Sequence, residues 1–259
     1  MNNRINETLR KLKATGEKAL VPYITGGDPD IETTENLVLA MEAAGADMVE
    51  IGVPFSDPIA ESALMQAADK RALEAGCTVD KLFDMVERLR AKTQMPLLLV
   101  TYANPIYAYG KDRFMARCQS AGVDGIVVPD VPFEENAEFA NDCDRHGVYL
   151  LSSVSPCSQE RTTAIAQSAK GFLRCVATLS GSDDMSSELT KMIAQVKKSA
   201  DIPCLVGFGV STADEAQSMA AISDGVIVSS RFVELVGAYG KDSAAPVKQL
   251  AAAMQKSIM

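Results

Sequence analysis

The 259-residue sequence predicts a (β/α)8 barrel, the TIM-barrel class. Three observations carry that expectation. Eight short, β-rich apolar runs recur along the chain, and helix-patterned segments separate them. The runs are continuous rather than alternating, as in a parallel sheet covered on its faces. Eight such units fit about 250 residues of one barrel. The competing arrangement, a doubly wound sheet, rarely needs eight strands and wants a glycine-rich first turn. Gly26-Gly27-Asp28 is no dinucleotide fingerprint, because it lacks the third glycine and the downstream spacing.

The elements follow in order. Ile5–Ala14 reads as an extra N-terminal helix closing the barrel's bottom, with Arg4, Arg10, Lys11 and Lys13 on its solvated face. The strands are expected at Leu20–Thr25, Met48–Gly52, Leu97–Tyr102, Gly125–Pro129, Tyr149–Val154, Phe172–Ala177, Cys204–Phe208 and Gly225–Ser229. Lys81–Leu89 and Phe133–Asp144 have helical periodicity between them. The repeats Ala44-Gly45-Ala46-Asp47 and Ala121-Gly122-Val123-Asp124-Gly125 each read as a helix stop followed by a strand start. No linker or composition shift divides the chain, so one domain over residues 1–259 is expected.

Composition narrows the function. Hydrophobic content of 47% and charged content of 23% are those of a soluble globular protein. A net charge of −9 with no basic stripe argues against nucleic acid as a partner. No apolar run reaches the roughly 18 residues that cross a bilayer, and the first residues lack a secretory apolar core. The six cysteines show no Cys-x-x-Cys spacing and read as reduced, mostly small core residues of a cytoplasmic enzyme. His146 is the only histidine, which excludes a multi-histidine metal site and disfavours a histidine-based triad.

In such barrels the reacting groups stand at the C-terminal ends of the strands. Glu50 is a lone acid inside an apolar strand. A buried acid is costly unless it is paired or used. Two readings apply: a structural acid satisfied by a neighbouring hydroxyl or amide, or a proton carrier. For the second, the apolar neighbours Val49, Ile51 and Leu99 are expected to raise its pKa toward neutrality. Asp57 belongs to the turn Ser56-Asp57-Pro58. Glu61 is either a reacting carboxylate or an acid in the first turn of a helix. Glycines and hydroxyls after strands seven and eight (Gly207-Phe208-Gly209 and Ser229-Ser230-Arg231) point to a phosphate cradle, with Arg231 as a further donor.

The segments Val21–Asp30, Ala44–Glu61, Thr101–Gly110, Gly122–Pro132 and Gly207–Thr212 resemble, in order, the tryptophan synthase α subunit family. The stretch Glu50-Ile-Gly-Val-Pro-Phe-Ser-Asp-Pro58, in register with Asp130-Val131-Pro132, is specific well beyond a generic barrel. The resemblance implies cofactor-free retro-aldol cleavage of indole-3-glycerol phosphate to indole and glyceraldehyde 3-phosphate, in tryptophan biosynthesis. It implies that Glu50 shuttles protons and that Glu61 takes or stabilises the indole N–H proton. It places Tyr23, Tyr102 and Pro129 near the indole pocket and Gly209, Ser229 and Ser230 on the phosphate site. It places Pro54, Asp57, Asn104 and Pro132 on the surface that meets a β subunit carrying pyridoxal phosphate, in an α2β2 complex.

The chain also departs from that pattern. Glu61-Ser62-Ala63 stands where the family has Asp-Gly-Pro, so the acid is one methylene longer and the loop loses its proline. Arg174 replaces a pocket-side tyrosine, Ser229-Ser230 replaces Gly-Ser, and Leu179–Asp184 lacks the family's lid signature. These changes are expected to cost activity through loops two and six. They keep two alternatives open: a paralogue with weak or altered activity on another phosphorylated small molecule, or a non-catalytic regulatory partner of a β-type subunit.

Overall fold

The computed structural model describes residues 3–176, 185–207 and 209–259. The chain runs α1 (Arg4–Thr15), β1 (Ala19–Thr25), α2 (Ile31–Glu42), β2 (Val49–Gly52), α3 (Ala63–Glu74), α4 (Val79–Arg90) and β3 (Leu97–Val100). It continues through α5 (Ala103–Tyr109), α6 (Lys111–Ala121), β4 (Gly125–Val127), α7 (Ala137–His146), β5 (Tyr149–Leu150), β6 (Ser153–Val154), α8 (Gln159–Ser168) and β7 (Leu173–Cys175). It closes with α9 (Met185–Ser199), β8 (Cys204–Val206), α10 (Ala213–Ile222), β9 (Gly225–Val228), α11 (Ser230–Tyr239) and α12 (Ala244–Ile258).

All strand pairs are parallel, in the order β5-β4-β3-β2-β1-β9-β8-β7-β6. The two ends of that order, β5 and β6, are halves of one run. β5 pairs with β4 and β6 with β7, and only Leu151 and Ser152 lie between them. The Leu151 N–H reaches Ile126 O at 2.8 Å, and Ser152 O accepts from the Arg174 N–H at 3.0 Å. The sheet therefore closes into a barrel. The single strand expected over Tyr149–Val154 is broken at this seam, where the run leaves one neighbour for the other. Two expected strand ends, Ala177 and Phe208, lie outside the described residues.

Strand alternation sorts the side chains. Ala19, Val21, Met48, Leu98, Val127, Leu151, Phe172, Leu205 and Ile227 fill the barrel interior in one apolar cluster. Leu20, Val49, Ile51, Leu97, Leu99 and Ile126 face outward against the helices in another. Ile5, Leu9 and Leu12 of α1 join the interior cluster, so the extra helix plugs the end of the barrel where the strands begin. Each such burial contributes roughly 1.5–3 kcal/mol. Asp124 is a buried hub at that end, accepting from Arg90 Nη2 at 2.6 Å, Arg4 Nη1 at 2.9 Å and the Leu97 N–H at 2.9 Å. Arg4 is thus half-buried and engaged rather than part of a wholly solvated face. The glycines of the two repeats hold φ of 96° and 87° just past α2 and α6, where a side chain would be strained.

Candidate active site

Alternation also decides what stands at the open end. Glu50 lies two residues beyond Met48, and Arg174 two beyond Phe172. Both therefore point into the interior, one layer above the apolar filling. Glu50 is fully buried. Arg174 Nη2 donates to its Oε2 at 3.1 Å. Arg174 Nε sits 2.9 Å from Oε1 but does not aim its hydrogen at it, so both atoms lack a true hydrogen bond. Burial pushes the Glu50 carboxyl up and the guanidinium pulls it down; the balance lies above the ordinary glutamate value. Burial is thus the cause of the rise, as expected, although the three neighbours named from the sequence lie on the other face of the sheet. Val49, Ile51 and Leu99 face the helices, and the group that meets Glu50 is a cation.

Arg174, and not Glu50, lines a cavity of about 380 Å³ with Pro129, Pro132, Ser153, Ser155 and Arg161. Pro129 is exposed there, and Pro132 sits in the same cavity. A second cavity, of about 360 Å³, is lined by Glu61, Ser62, Gly209, Ser211, Ser229 and Ser230 among others. Gly207 belongs to both. The structure thus brings the expected cradle residues together with Glu61 in one hollow, at the N-terminus of α11. Arg231 does not join them, because its Nη1 pairs with Glu234 at 2.6 Å on its own helix. Leu179–Asp184, the altered loop six, lies outside the described residues.

Loop two is better ordered than its missing proline suggests. Ser62 caps α3, its hydroxyl facing the Met65 N–H at 3.5 Å, and Ala63 is the first helical residue. The Glu61 N–H donates to Pro58 O at 3.1 Å, and Gln66 Nε2 donates to Glu61 O at 3.0 Å. The Glu61 carboxyl is seated against the Asp69 carboxyl and the Tyr102 hydroxyl. Burial raises its pKa. Asp69, on the first turns of α3, is 2% exposed, and burial first and Glu61 second push it up to about 8. Tyr102 accepts the Ala60 N–H at 3.1 Å and stacks on Phe55 with ring centroids 5.3 Å apart. Its hydroxyl is pushed up to about 12 by burial and by Glu61. Tyr23 completes the corner: it is 3% exposed and raised well above the ordinary tyrosine value by burial, Glu61 and Asp69. It crosses Gly52 so closely that a Cβ there would stand 2.0 Å from its hydroxyl oxygen, which is why position 52 has no side chain.

Asp69 escaped the sequence reading. It sits in a polar helical stretch, Ala67-Ala68-Asp69-Lys70-Arg71, that resembles a solvent face. The available signal was its company: Ala68 and Ala72, small and one turn apart, mark the packed face of α3 on which Asp69 also lies.

The remaining predicted residues surround the opening. Pro54 is buried, whereas Asp57, Asn104 and Pro132 are exposed. Pro54 and Asn104 share an apolar groove with Phe55, Leu73, Val79 and Tyr109. Ser56 Oγ donates to Asp57 Oδ2 at 2.6 Å, and Ile59 on the same loop is 85% exposed. The Asp130 carboxylate accepts the Ala103 N–H at 3.0 and 3.2 Å, tying the loop after β4 to α5.

With that geometry in place, comparison with known proteins is informative. The profile of the family described as "Tryptophan synthase alpha chain" matches residues 9–259. A tryptophan synthase alpha chain of Alkaliphilus metalliredigens (strain QYMF) is 39% identical over 259 residues, covering 99% of this chain and 97% of its own. The crystal structure of tryptophan synthase subunit alpha from Legionella pneumophila str. Paris superposes with a TM-score of 0.93 at 38% identity, over 100% of this chain and 99% of that one. A chain in the crystal structure of the tryptophan synthase complex from Pyrococcus furiosus does so with a TM-score of 0.85 at 31% identity, over 93% and 98%.

Proposed function

The chain belongs to the tryptophan synthase alpha chain family and is a lyase of tryptophan biosynthesis, and from that premise we propose that it cleaves indole-3-glycerol phosphate to indole and glyceraldehyde 3-phosphate. One observation supports this most directly: Glu61 and the Gly209, Ser229 and Ser230 cradle line a single cavity. A carboxylate for the ring N–H and a nest of backbone and hydroxyl donors for phosphate therefore face one ligand. Its volume lies in the range of small-molecule sites.

Glu50 begins protonated and gives its proton to ring C3, while the ring N–H proton passes to Glu61. The Glu50 carboxylate then takes the proton of the side-chain hydroxyl next to the ring. The bond from C3 to the hydroxyl-bearing carbon breaks, its electron pair restores the aromatic ring, and nitrogen regains its proton from Glu61. Both carboxyls return to their starting states, and the atoms of the substrate divide between the two products. The upward direction of the Glu50 pKa favours the protonated form with which the first step begins. Tyr23, Tyr102 and Pro129 flank the ring. The chain works in the cytoplasm with no cofactor of its own. Its opening, rimmed by Asp57, Asn104 and Pro132 over the buried Pro54, docks on a β subunit that holds pyridoxal phosphate.

A second reading rests on Arg174. Its guanidinium covers Glu50 and opposes the proton that the first step needs, as in a paralogue with weakened or altered activity. The purified chain incubated with indole-3-glycerol phosphate, with and without a β subunit, separates the two. Indole appearing faster with the β subunit supports the lyase; no indole under either condition overturns it.

A further inference from the structure

The corner around Glu61 contains an arrangement that the reaction scheme does not use. Asp69 Oδ2 and Glu61 Oε2 are both buried, and neither has an N–H or O–H partner. Two ionised carboxylates cannot lie against each other in a buried place without a cation or a proton. The neighbouring cations are committed elsewhere. Arg71 clamps Asp28 with two bonds, 2.9 Å from Nε and 2.7 Å from Nη2. Lys70 is exposed and faces Glu74. The other groups facing the pair are the Phe55 N–H, which Asp69 accepts, two phenols, Tyr23 from β1 and Tyr102 from just past β3, and one acid, Asp28 from the loop after β1. Among the described residues, a proton is the only neutralising charge at hand.

We infer that Asp69 is a positioning residue for the reaction, sharing one proton with Glu61 so that the pair carries a single negative charge and Glu61 meets the ring N–H as an acceptor. The inference rests on the functional reading above and deepens it. The proton between the two carboxyls satisfies both orphaned oxygens at once. It also ties a loop residue to the middle of α3, so the longer side chain of Glu61 is held by a partner on a helix. Asp69 touches no substrate; it acts through Glu61. Because two interacting acids titrate as a pair, the proton leaves in one macroscopic step above neutrality. The pair then becomes a dianion, and repulsion drives Glu61 out of its seat.

The test compares Asp69→Asn and Asp69→Ala with the wild type. Asn keeps a donor toward Glu61 and cannot titrate; Ala keeps neither. The expected result is that Asp69→Asn retains most of kcat/KM near neutrality and falls less steeply on the alkaline side, where Glu50 remains the titrating acid. Asp69→Ala loses about tenfold throughout, the scale of a misplaced acceptor. A role in folding alone would lower stability and leave the shape of the pH profile untouched. Infrared spectra of protein carrying 13C-labelled aspartate provide a readout that needs no turnover. The wild type at neutral pH should show a protonated-acid C=O band that Asp69→Asn lacks. If that band is present while wild type releases no indole, the functional reading fails and the shared proton stands. If the band is unchanged by the substitution, or the pH profile of an active Asp69→Asn overlays the wild type, the inference is overturned.

Discussion

Glu50 and Glu61 stand at the same mouth, yet one is met by a cation and the other by an acid. Glu50 lies inside the barrel wall with Arg174 against it. Glu61 lies in a loop, with Asp69 and two tyrosine hydroxyls around it. Burial raises both carboxyls; the guanidinium draws Glu50 toward the ion, whereas in the loop Asp69 and the Tyr102 hydroxyl draw Glu61 toward the ion and Glu61 in turn pushes Asp69 toward holding a proton. The proposed chemistry wants a proton on Glu50 at the start and none on Glu61. Taken alone, the Glu50 environment is therefore the compromised one, and the Glu61 corner, with a neighbour to hold its proton, is the adapted one. Two acids assigned to one reaction are told apart by what stands beside them rather than by their own type.

The largest effect should follow removal of the proton carrier. Glu50→Gln is expected to lower indole release by about 10³-fold while circular dichroism stays native, since no histidine is near to substitute. Turnover within a few-fold of wild type would end the assignment of Glu50 as shuttle. Next comes the cation. Arg174→Tyr takes away the influence that pulls the Glu50 carboxyl down, so its pKa rises further above the ordinary value and the protonated form persists to higher pH. The alkaline fall of kcat/KM should move to higher pH, with a gain of about twofold at its former midpoint and about tenfold on the alkaline limb beyond both midpoints. A fall at all pH values would mean instead that Arg174 assists the reaction. The smallest change tests loop two. Glu61→Asp withdraws the carboxyl by about 1.5 Å, one C–C bond, away from Asp69 and Tyr102, and is expected to cost about tenfold in kcat/KM. Increased activity would restore the opposite view, that Glu61 is a family aspartate made too long.

That opposite view is what the sequence alone suggests, and the reason it does is instructive. The barrel is legible because its strands are buried on both faces and read as apolar runs. The plug helix is legible because Ile5, Leu9 and Leu12 keep helical spacing. Glu50 is legible as a lone acid in such a run. Its partner is not: positions 50 and 174 meet only because two strands on opposite sides of a closed sheet expose the same layer, and no local pattern encodes that. Loop two misleads for a related reason. Loss of the proline reads as loosening, yet Ser62 caps α3 and Asp69 receives Glu61, and both compensations depend on where α3 packs. The break in the strand over Tyr149–Val154 is likewise a property of closure, set by two neighbours that approach from different halves of the sheet.

The plug formed by α1 has a consequence for traffic. Ile5, Leu9 and Leu12 seal the barrel at one end, so among the described residues the way in lies at the other. A ligand that enters or leaves must then use the ring of loops that carries Ile59, Asp57, Asn104 and Pro132. Whatever settles on that rim controls the order of arrivals and departures without touching a reacting atom. A barrel stoppered at its base thus leaves its gatekeeping to whatever covers the opposite rim.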